Sequence, residues 1–322
     1  LMTKICVTGA TGFIGSKLSL KLSQLSYDVL APVRNLSSSS LSLNQNLQYI
    51  KVEKEDSNLN YSKILKQVDT VIHCAARTHV VREVEKNPQI AYQKINVEET
   101  LNLATQAASF GVKRFIFLSS IKVNGEKTLR SESFKHNDIA MPEDAYGASK
   151  LEAEKVLREL SDRTGLEIVI IRAPLVYGEG VKGNFLRLLN LTNKKIPLPF
   201  ARINNIRSLV GLDNLIDLII CCIDHPKAAG QIFLISDNES ISTPELIKKI
   251  GGAMGKSTRL FPVPLSIFKL LGRLTGKSYE VDKLLGSLMV DTSHTRQILG
   301  WKPILSLDDG LNKTVQWYLK NL

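Results

Sequence analysis

The apolar positions of the chain follow two alternating patterns. Short, nearly continuous apolar runs predict buried strands, and the segments between them repeat apolar residues every three or four positions, which predicts helices. The strand-like runs are Thr3–Val7, Tyr27–Val33, Leu47–Val52, Asp69–Cys74, Arg114–Ser119 and Ile168–Ile171. The helical segments include Ser16–Leu25, Pro88–Phe110 and a stretch that opens at Tyr146. This alternation predicts an α/β fold with a doubly wound parallel sheet, helices on both faces and ligands at the carboxyl ends of the strands.

A glycine-rich turn joins the first strand to the first helix, with the sequence TGATGFIG over residues 8–15. Such a turn directs backbone N–H groups and the positive end of the helix dipole at one point, which suits a diphosphate. An ordinary strand-to-helix turn is the alternative. The motif lies at the first strand–helix junction, and this position favours a Rossmann-type dinucleotide site. The predicted cofactor-binding residues here are Gly9, Thr11, Gly12, Phe13, Ile14 and Gly15.

The end of the second strand bears on the choice of cofactor. A cofactor without a 2′-phosphate usually meets an acidic residue there, and this chain has Arg34 instead. Because a guanidinium can hold a phosphate through paired hydrogen bonds, Arg34 favours NADP(H) over NAD(H), with an ordinary loop arginine as the alternative. After the fourth strand come Ala75, Ala76 and Arg77, whose small members leave room for the cofactor ribose and diphosphate.

Three side chains are candidates for catalysis. Ser120 ends the fifth strand, and Tyr146 and Lys150 lie four residues apart on one helix face. A phenol of pKa about 10 is a poor acid–base group at neutral pH, but a neighbouring ammonium favours the phenolate. The tyrosine could then exchange a proton with a carbonyl oxygen during hydride transfer, while the serine polarises that oxygen and the lysine holds the nicotinamide ribose. A surface Tyr–Lys pair is the alternative.

Composition narrows the class of protein. The net charge is +11, and without a nucleic-acid motif or interleaved aromatics this excess favours an anionic small-molecule substrate over nucleic acid. No apolar run reaches transmembrane length, no secretory signal is expected, and the four cysteines have no metal-binding spacing. We therefore expect a cytoplasmic protein with reduced thiols and no bound metal.

The motifs, and their order along the chain, resemble those of the extended short-chain dehydrogenase/reductases that act on nucleotide sugars. The matching segments are 9–15, 119–125, 146–150, 172–178 and 299–303. The resemblance implies an NADP-binding Rossmann domain over 2–175 and a smaller nucleotide-sugar-binding domain over 176–322, with some chain returning to the sheet around 205–240. It also implies a homodimer formed by the helix around Asn96 and the helix that bears Tyr146.

The resemblance also assigns individual residues. It implies that Ser120, three positions before Val123, is catalytic rather than Ser119. It adds Asp56 and Pro174 to the cofactor-binding set. The implied contacts with a UDP-sugar are Ser120, Lys122, Tyr146, Asn184, Phe185 and Arg207. A helix cap is the alternative for Asn184, and a surface cation is the alternative for Arg207.

Departures from the family pattern narrow the reaction. The dehydratases of the family carry Asp-Glu after the catalytic hydroxyl, where this chain has Ile121 and Lys122. Many epimerases carry Asn where Leu175 stands, and they hold NAD. Segments 180–186, 197–199, 207–210 and 285–291 resemble bacterial reductases of UDP-4-keto-6-deoxy-N-acetylhexosamines, which serve O-antigen synthesis. The main prediction is an NADPH-dependent 4-ketoreductase; an NAD-dependent UDP-sugar 4-epimerase and a cofactor-binding protein without turnover are the alternatives.

A leucine-rich, basic stretch over 264–290 includes Lys269, Arg273 and Lys277. The favoured interpretation is a helix that packs on the core with a solvated basic face. A peripheral contact with a membrane surface is the alternative, and no integral membrane segment is expected.

Overall fold

The buried strands form one large parallel sheet. The structure is a computed structural model that describes residues 3–35, 45–55, 58–78 and 87–322. Its strands are β1 (Lys4–Thr8), β2 (Asp28–Val33), β3 (Leu47–Lys51), β4 (Glu53–Glu55), β5 (Asn58–Asn60), β6 (Thr70–His73), β7 (Arg114–Ser120), β8 (Glu167–Ala173), β9 (Leu175–Tyr177), β10 (Arg207–Gly211), β11 (Ile232–Leu234) and β12 (Ser240–Ile241). Seven of them pair in the order β3-β2-β1-β6-β7-β8-β11, all parallel. The predicted doubly wound α/β fold is confirmed, and its strand order reverses between β1 and β6, where such sheets bind ligands.

The described residues form twelve α-helices, several of which cover the two faces of this sheet. They are α1 (Phe13–Gln24), α2 (Ser62–Leu65), α3 (Pro88–Tyr92), α4 (Glu99–Ser109), α5 (Ala145–Thr164), α6 (Gly183–Asn193), α7 (Leu212–Asp224), α8 (Thr243–Ala253), α9 (Leu265–Leu274), α10 (Ser278–Leu285), α11 (Ser293–Leu299) and α12 (Leu307–Lys320). The predicted single helix over 88–110 is interrupted, because a π-helical turn over Gln93–Glu98 separates α3 from α4. Across the described ranges, no helix is long and apolar enough to cross a membrane.

The core lies on both faces of the large sheet. Along β1, Ile5 and Val7 face α1 and α7, whereas Cys6 between them faces α4 and α5. This alternation is the period of two expected for a strand, and both sides are apolar because both are covered.

The carboxyl-terminal half builds a second, smaller core. A three-stranded sheet, β9-β10-β12, packs with α6, α8 and α12 around the buried rings of Tyr177 and Phe185, whose centroids are 5.4 Å apart. The Tyr177 hydroxyl donates to Asp237 at 2.7 Å, and the Gly211 N–H donates to the same carboxylate at 2.8 Å. Between these elements the chain returns to the large sheet, where β11 forms its edge beside β8.

Candidate active site

The glycine turn is shaped to receive a diphosphate. Gly9 has φ +70° and accepts a hydrogen bond from the Gly12 N–H at 2.8 Å. A Cβ atom at Gly15 would lie 2.2 Å from the Gly9 oxygen, so only glycine lets the helix pack this closely on the turn. Helix α1 begins at Phe13 with neither a side-chain cap nor an acidic residue in its first turn, which leaves its amino-terminal N–H groups for an anion. These residues fit a dinucleotide.

The loop after β6 lies directly against this turn. The Ala75 N–H donates to Thr8 Oγ1 at 3.3 Å, and a Cβ atom at Gly9 would lie 2.8 Å from Ala75 N. Ala75, Ala76 and Arg77 are half-buried at the carboxyl end of β6, beside the reversal of strand order. The structure therefore brings the two predicted cofactor-binding segments together.

Asn96 joins this loop to α5, the helix that carries Tyr146 and Lys150, a contact that the sequence does not predict. Its side chain accepts from the Arg77 N–H at 2.8 Å and donates to the Arg77 oxygen at 3.1 Å and to Ser149 Oγ at 3.0 Å. Ser149 Oγ in turn donates to the Tyr146 carbonyl at 2.8 Å. Asn96 lies within the π-helical turn, a feature that often marks functional sites.

We expect Asn96→Ala to lower the free energy of unfolding by about 2–3 kcal/mol, because three hydrogen bonds of about 1 kcal/mol each are lost. Dinucleotide affinity should also fall, because Arg77 and its neighbours lose their anchor. Urea unfolding and calorimetric titration would measure both effects. Asn102→Ala is the matched control, since Asn102 bonds Leu59 instead; equal losses of affinity in the two variants would contradict the assignment.

The two adjacent serines at the end of β7 point to different environments. Ser119 Oγ donates to Glu154 Oε1 at 2.6 Å, inside a buried network with Arg172. Ser120 Oγ accepts the Lys122 N–H at 3.3 Å. Because neighbouring strand residues face opposite sides of a sheet, Ser120 is the serine that faces away from the buried network, which favours its predicted role.

Tyr146 lies in the first turn of α5, which Asp144 caps by accepting the Gly147 N–H at 2.7 Å. Its ring centroid is 6.2 Å from that of Tyr92. Burial, followed by the negative charge of Asp144, raises the pKa of Tyr146. The direction of this shift is opposite to the lowering by Lys150 that the sequence predicts.

Lys150 is almost completely buried beneath the end of β7. Its Nζ donates to the Leu118 oxygen at 2.9 Å and lies 4.4 Å from the centre of the Phe117 ring. Burial lowers the pKa of Lys150 from 10.5 to about 8. Its charge is thus fixed in place by a backbone carbonyl and an aromatic face.

Because of this pKa, the contribution of Lys150 to stability should rise with pH between about 8 and 10.5, whereas the raised pKa values of the buried thiols act in the opposite direction. In that window the unfolded chain binds more protons at this lysine than the folded chain does. Below it, the full cost of burying the charge, about 3 kcal/mol, is present. Urea unfolding at pH 7 and pH 9.5 isolates this contribution as a difference: the change in stability between the two pH values should be more favourable in wild type and in the exposed control Lys155→Met than in Lys150→Met. An equal change in Lys150→Met would mean that Lys150 does not contribute.

Lys122, a predicted substrate contact, lies beside Tyr146. Its Nζ is 5.8 Å from the centre of the Tyr146 ring, pairs with Glu126 at 3.1 Å and also pairs with Asp144. Burial works against the Lys122 ammonium, but the two carboxylates more than offset it and raise its pKa. From α10, the Tyr279 hydroxyl donates to Glu126 at 2.6 Å, so this polar cluster ties the carboxyl-terminal half to the catalytic helix.

The remaining cofactor predictions have mixed outcomes. Arg34 is exposed just after β2. Its charge acts on Glu99: burial raises the pKa of this carboxyl, and Arg34 offsets only part of the rise. Asp56 lies outside the described residues. Pro174 is buried directly after β8, whose last residue, Ala173, pairs with Ser120.

The predicted nucleotide contacts differ in what they offer a ligand. Asn184 is exposed in the first turn of α6, where Lys182 occupies the cap position, so the helix-cap alternative for Asn184 is wrong. The Phe185 side chain is in the core, which leaves only its backbone for a nucleotide. Arg207 donates to the Lys283 and Gly286 oxygens at 2.8 and 3.2 Å, so part of its guanidinium already holds the end of α10.

Comparison with known proteins agrees with this geometry. A family model described as the NAD dependent epimerase/dehydratase family matches residues 5–236. A Vibrio cholerae protein named UDP-glucose 4-epimerase is 47% identical over 98% of this chain and 95% of its own. A human dTDP-D-glucose 4,6-dehydratase is 25% identical over 99% of this chain and 90% of its own.

Among solved structures, the Bacillus cereus UDP-glucuronic acid 4-epimerase in complex with UDP-glucuronic acid and NAD is 25% identical. It superposes with a TM-score of 0.80, over 99% of this chain and 100% of that one. The chain belongs to the NAD dependent epimerase/dehydratase family, within the extended short-chain dehydrogenase/reductases.

Proposed function

We propose that this protein is a UDP-sugar 4-epimerase that uses NAD. The observation that carries the proposal is the full-length, 47% identical relative named UDP-glucose 4-epimerase, which favours the epimerase over the reductase preferred from the sequence. The site supports it, because Ser120 ends β7, Lys150 bonds the Leu118 oxygen of that strand, and Tyr146 lies one turn before Lys150 on α5.

Tyr146 is the acid–base group in this proposal. It takes the proton from the sugar O4 as the C4 carbonyl forms, and returns it to O4 when the C4–H bond is remade on the opposite face of the ring. Ser120 donates a hydrogen bond to O4 and polarises the carbonyl. Lys122, whose Nζ lies 5.8 Å from the centre of the tyrosine ring, would partly offset the burial and the Asp144 charge that raise the pKa of Tyr146. When bound, the nicotinamide supplies the hydride-transfer chemistry.

Dehydration is the reaction that these residues support least. At the two positions after Ser120, a dehydratase needs carboxyl groups to move protons at C5 and C6. Here Ile121 is buried and Lys122 is paired with Glu126 and Asp144. The 25% identity to a human dehydratase therefore does not favour dehydration here.

The second candidate is the NADPH-dependent 4-ketoreductase, and Arg34 is the observation that favours it. An exposed guanidinium at the end of β2 offers a partner for a 2′-phosphate where NAD-binding proteins usually have an acid. Its product would be UDP-N-acetylquinovosamine or the C4 epimer for surface polysaccharide. For either candidate we also propose a cytoplasmic homodimer formed through the helical segment around Asn96, residues 88–110, and α5.

Cofactor balance separates the two candidates. An epimerase converts UDP-glucose or UDP-N-acetylglucosamine with no net change in nicotinamide absorbance, whereas the reductase consumes one NADPH per UDP-4-keto sugar. We expect turnover without net change. Net oxidation of NADPH by a 4-keto sugar, without epimerisation, would establish the reductase instead.

Arg34→Asp is the matched test of the cofactor. If Arg34 grips a 2′-phosphate, this variant should raise the KM for NADPH at least tenfold and leave that for NADH nearly unchanged. The proposed epimerase should instead keep its NAD-supported turnover. Arg202→Asp, at an exposed arginine of the carboxyl-terminal half, controls for the change in net charge.

A further inference from the structure

The apolar stripe of α9 faces outward. Ile267, Leu270, Leu271 and Leu274 follow the spacing that usually packs on a core. Their exposed fractions are 44, 56, 53 and 75%. The expectation that this helix packs its leucines on the core is therefore wrong. We call these four residues the α9 surface.

The opposite side of α9 explains this orientation. Phe268 stacks on Phe200 with ring centroids 6.1 Å apart. Gly272 is buried, and a Cβ atom there would lie 2.9 Å from Val281 of α10. The helix is thus held to the protein by an aromatic contact and a close helix–helix contact. The apolar side chains of the α9 surface are therefore exposed to solvent, and an exposed apolar patch on a protein surface marks an interaction site.

The charges on α9 and on the segments before and beside it are basic, and the next acidic residues along the chain are Glu280 and Asp282 on α10. From 256 to 279 the chain carries five basic residues and no acidic one, and from 194 to 207, which includes the loop beside α9, it carries four and no acidic one. Lys269 and Arg273 lie on α9 itself and are exposed. Apolar side chains flanked by basic ones are complementary to an anionic lipid surface, where the leucines enter the acyl boundary and the cations meet phosphates.

We propose that the α9 surface docks on anionic membranes as a peripheral contact. Helix α9 has ten residues and would be about 15 Å long, half the thickness of the hydrocarbon layer, so it would lie in the interface plane. A second copy of the chain fits this surface poorly. A two-fold contact places the same patch against itself, and here that would oppose basic residues with basic residues.

The orientation that follows is specific. Helix α10 packs against α9, and its inner side carries Tyr279 and Lys283, which contact Glu126 beside the catalytic helix. A protein docked through α9 therefore turns this side of the substrate half toward the lipid. The proposal concerns binding only and is independent of which sugar reaction the enzyme performs.

Vesicle sedimentation tests the proposal with the full chain. Wild type should pellet with vesicles of three parts phosphatidylcholine to one part phosphatidylglycerol, and at least tenfold less with phosphatidylcholine alone. Leu270→Ser with Leu274→Ser should lower the pelleted fraction at least tenfold, and so should Lys269→Glu with Arg273→Glu. Failure of wild type to pellet with anionic vesicles overturns the proposal.

Matched controls separate a site from general stickiness. Ile304→Ser removes an apolar side chain of similar exposure, 58%, far along the chain, and Lys248→Glu reverses an exposed charge on α8. Both should pellet like wild type, with all variants sharing one melting temperature. If the controls lose binding as strongly as the α9 variants, or if the leucine variants instead convert an oligomer to monomers, membrane docking by α9 is wrong.

Discussion

Replacing Tyr146 with phenylalanine should lower kcat for the C4 reaction by about a thousandfold, within the usual range for losing a positioned acid–base group. The expectation rests on position: the ring contacts Tyr92 and Lys122, and phenylalanine keeps these contacts while removing the hydroxyl. Cofactor affinity should therefore change little. Single-turnover kinetics and calorimetric titration with NAD measure the two quantities separately.

Tyr318→Phe is the control for this experiment. It removes a hydroxyl that bonds Asn190 in the carboxyl-terminal core, far from the catalytic set in sequence and in packing. Its turnover should stay near that of wild type. A Tyr146→Phe variant that turns over a proven substrate at the normal rate would exclude both the epimerase and the reductase mechanisms, which use the same tyrosine.

Glu154→Ala should lower the free energy of unfolding by about 3–5 kcal/mol. The Glu154 side chain is 1% exposed and pairs with Arg172, which is 4% exposed, at 2.6 Å, while also accepting from Ser119. Removing the carboxylate leaves the arginine charge buried without its partner, which is the costly way to break such a pair.

Urea unfolding measures this loss, and Glu152→Ala on the same helix is the control. Glu152 is 45% exposed and pairs with Lys155 at 3.5 Å, so its removal should cost less than about 1 kcal/mol. Glu154→Leu with Arg172→Met should recover much of the loss, because both charges leave together. Similar losses for Glu152→Ala and Glu154→Ala would mean that the buried network contributes little to the free energy of unfolding.

The elements that build the cofactor site could be predicted from sequence because local rules dictate them. The turn over 8–15 needs glycine where φ is positive and where the helix meets the turn, and the glycines that meet both requirements can be read directly from the sequence. The central strands are covered on both faces and so appear as continuous apolar runs. For the glycine turn and the central strands, the order of residues along the chain is therefore enough to predict where they lie in the fold.

Other features depend on tertiary contacts that spacing does not encode. Tyr146 and Lys150 share a helix face by spacing, but the lysine turns to the Leu118 carbonyl, and burial with Asp144 sets the tyrosine pKa. Asn96 gains its role from a π-helical turn in a segment that looks uniformly helical. The apolar spacing of α9 is the same whether the stripe meets the core or a lipid surface.

The path of the chain between its two sheets limits how this protein can be recombined with its relatives. After β8 the chain leaves the large sheet to make β9 and β10, and it then returns to add β11 at the edge. A chimaera with one crossover after residue 175 would take this edge strand and the covering helix α7 from a different parent. Exchange of substrate preference should therefore succeed by grafting the segments around α6 and α9–α10 individually, with 207–234 kept from the parent that supplies the sheet.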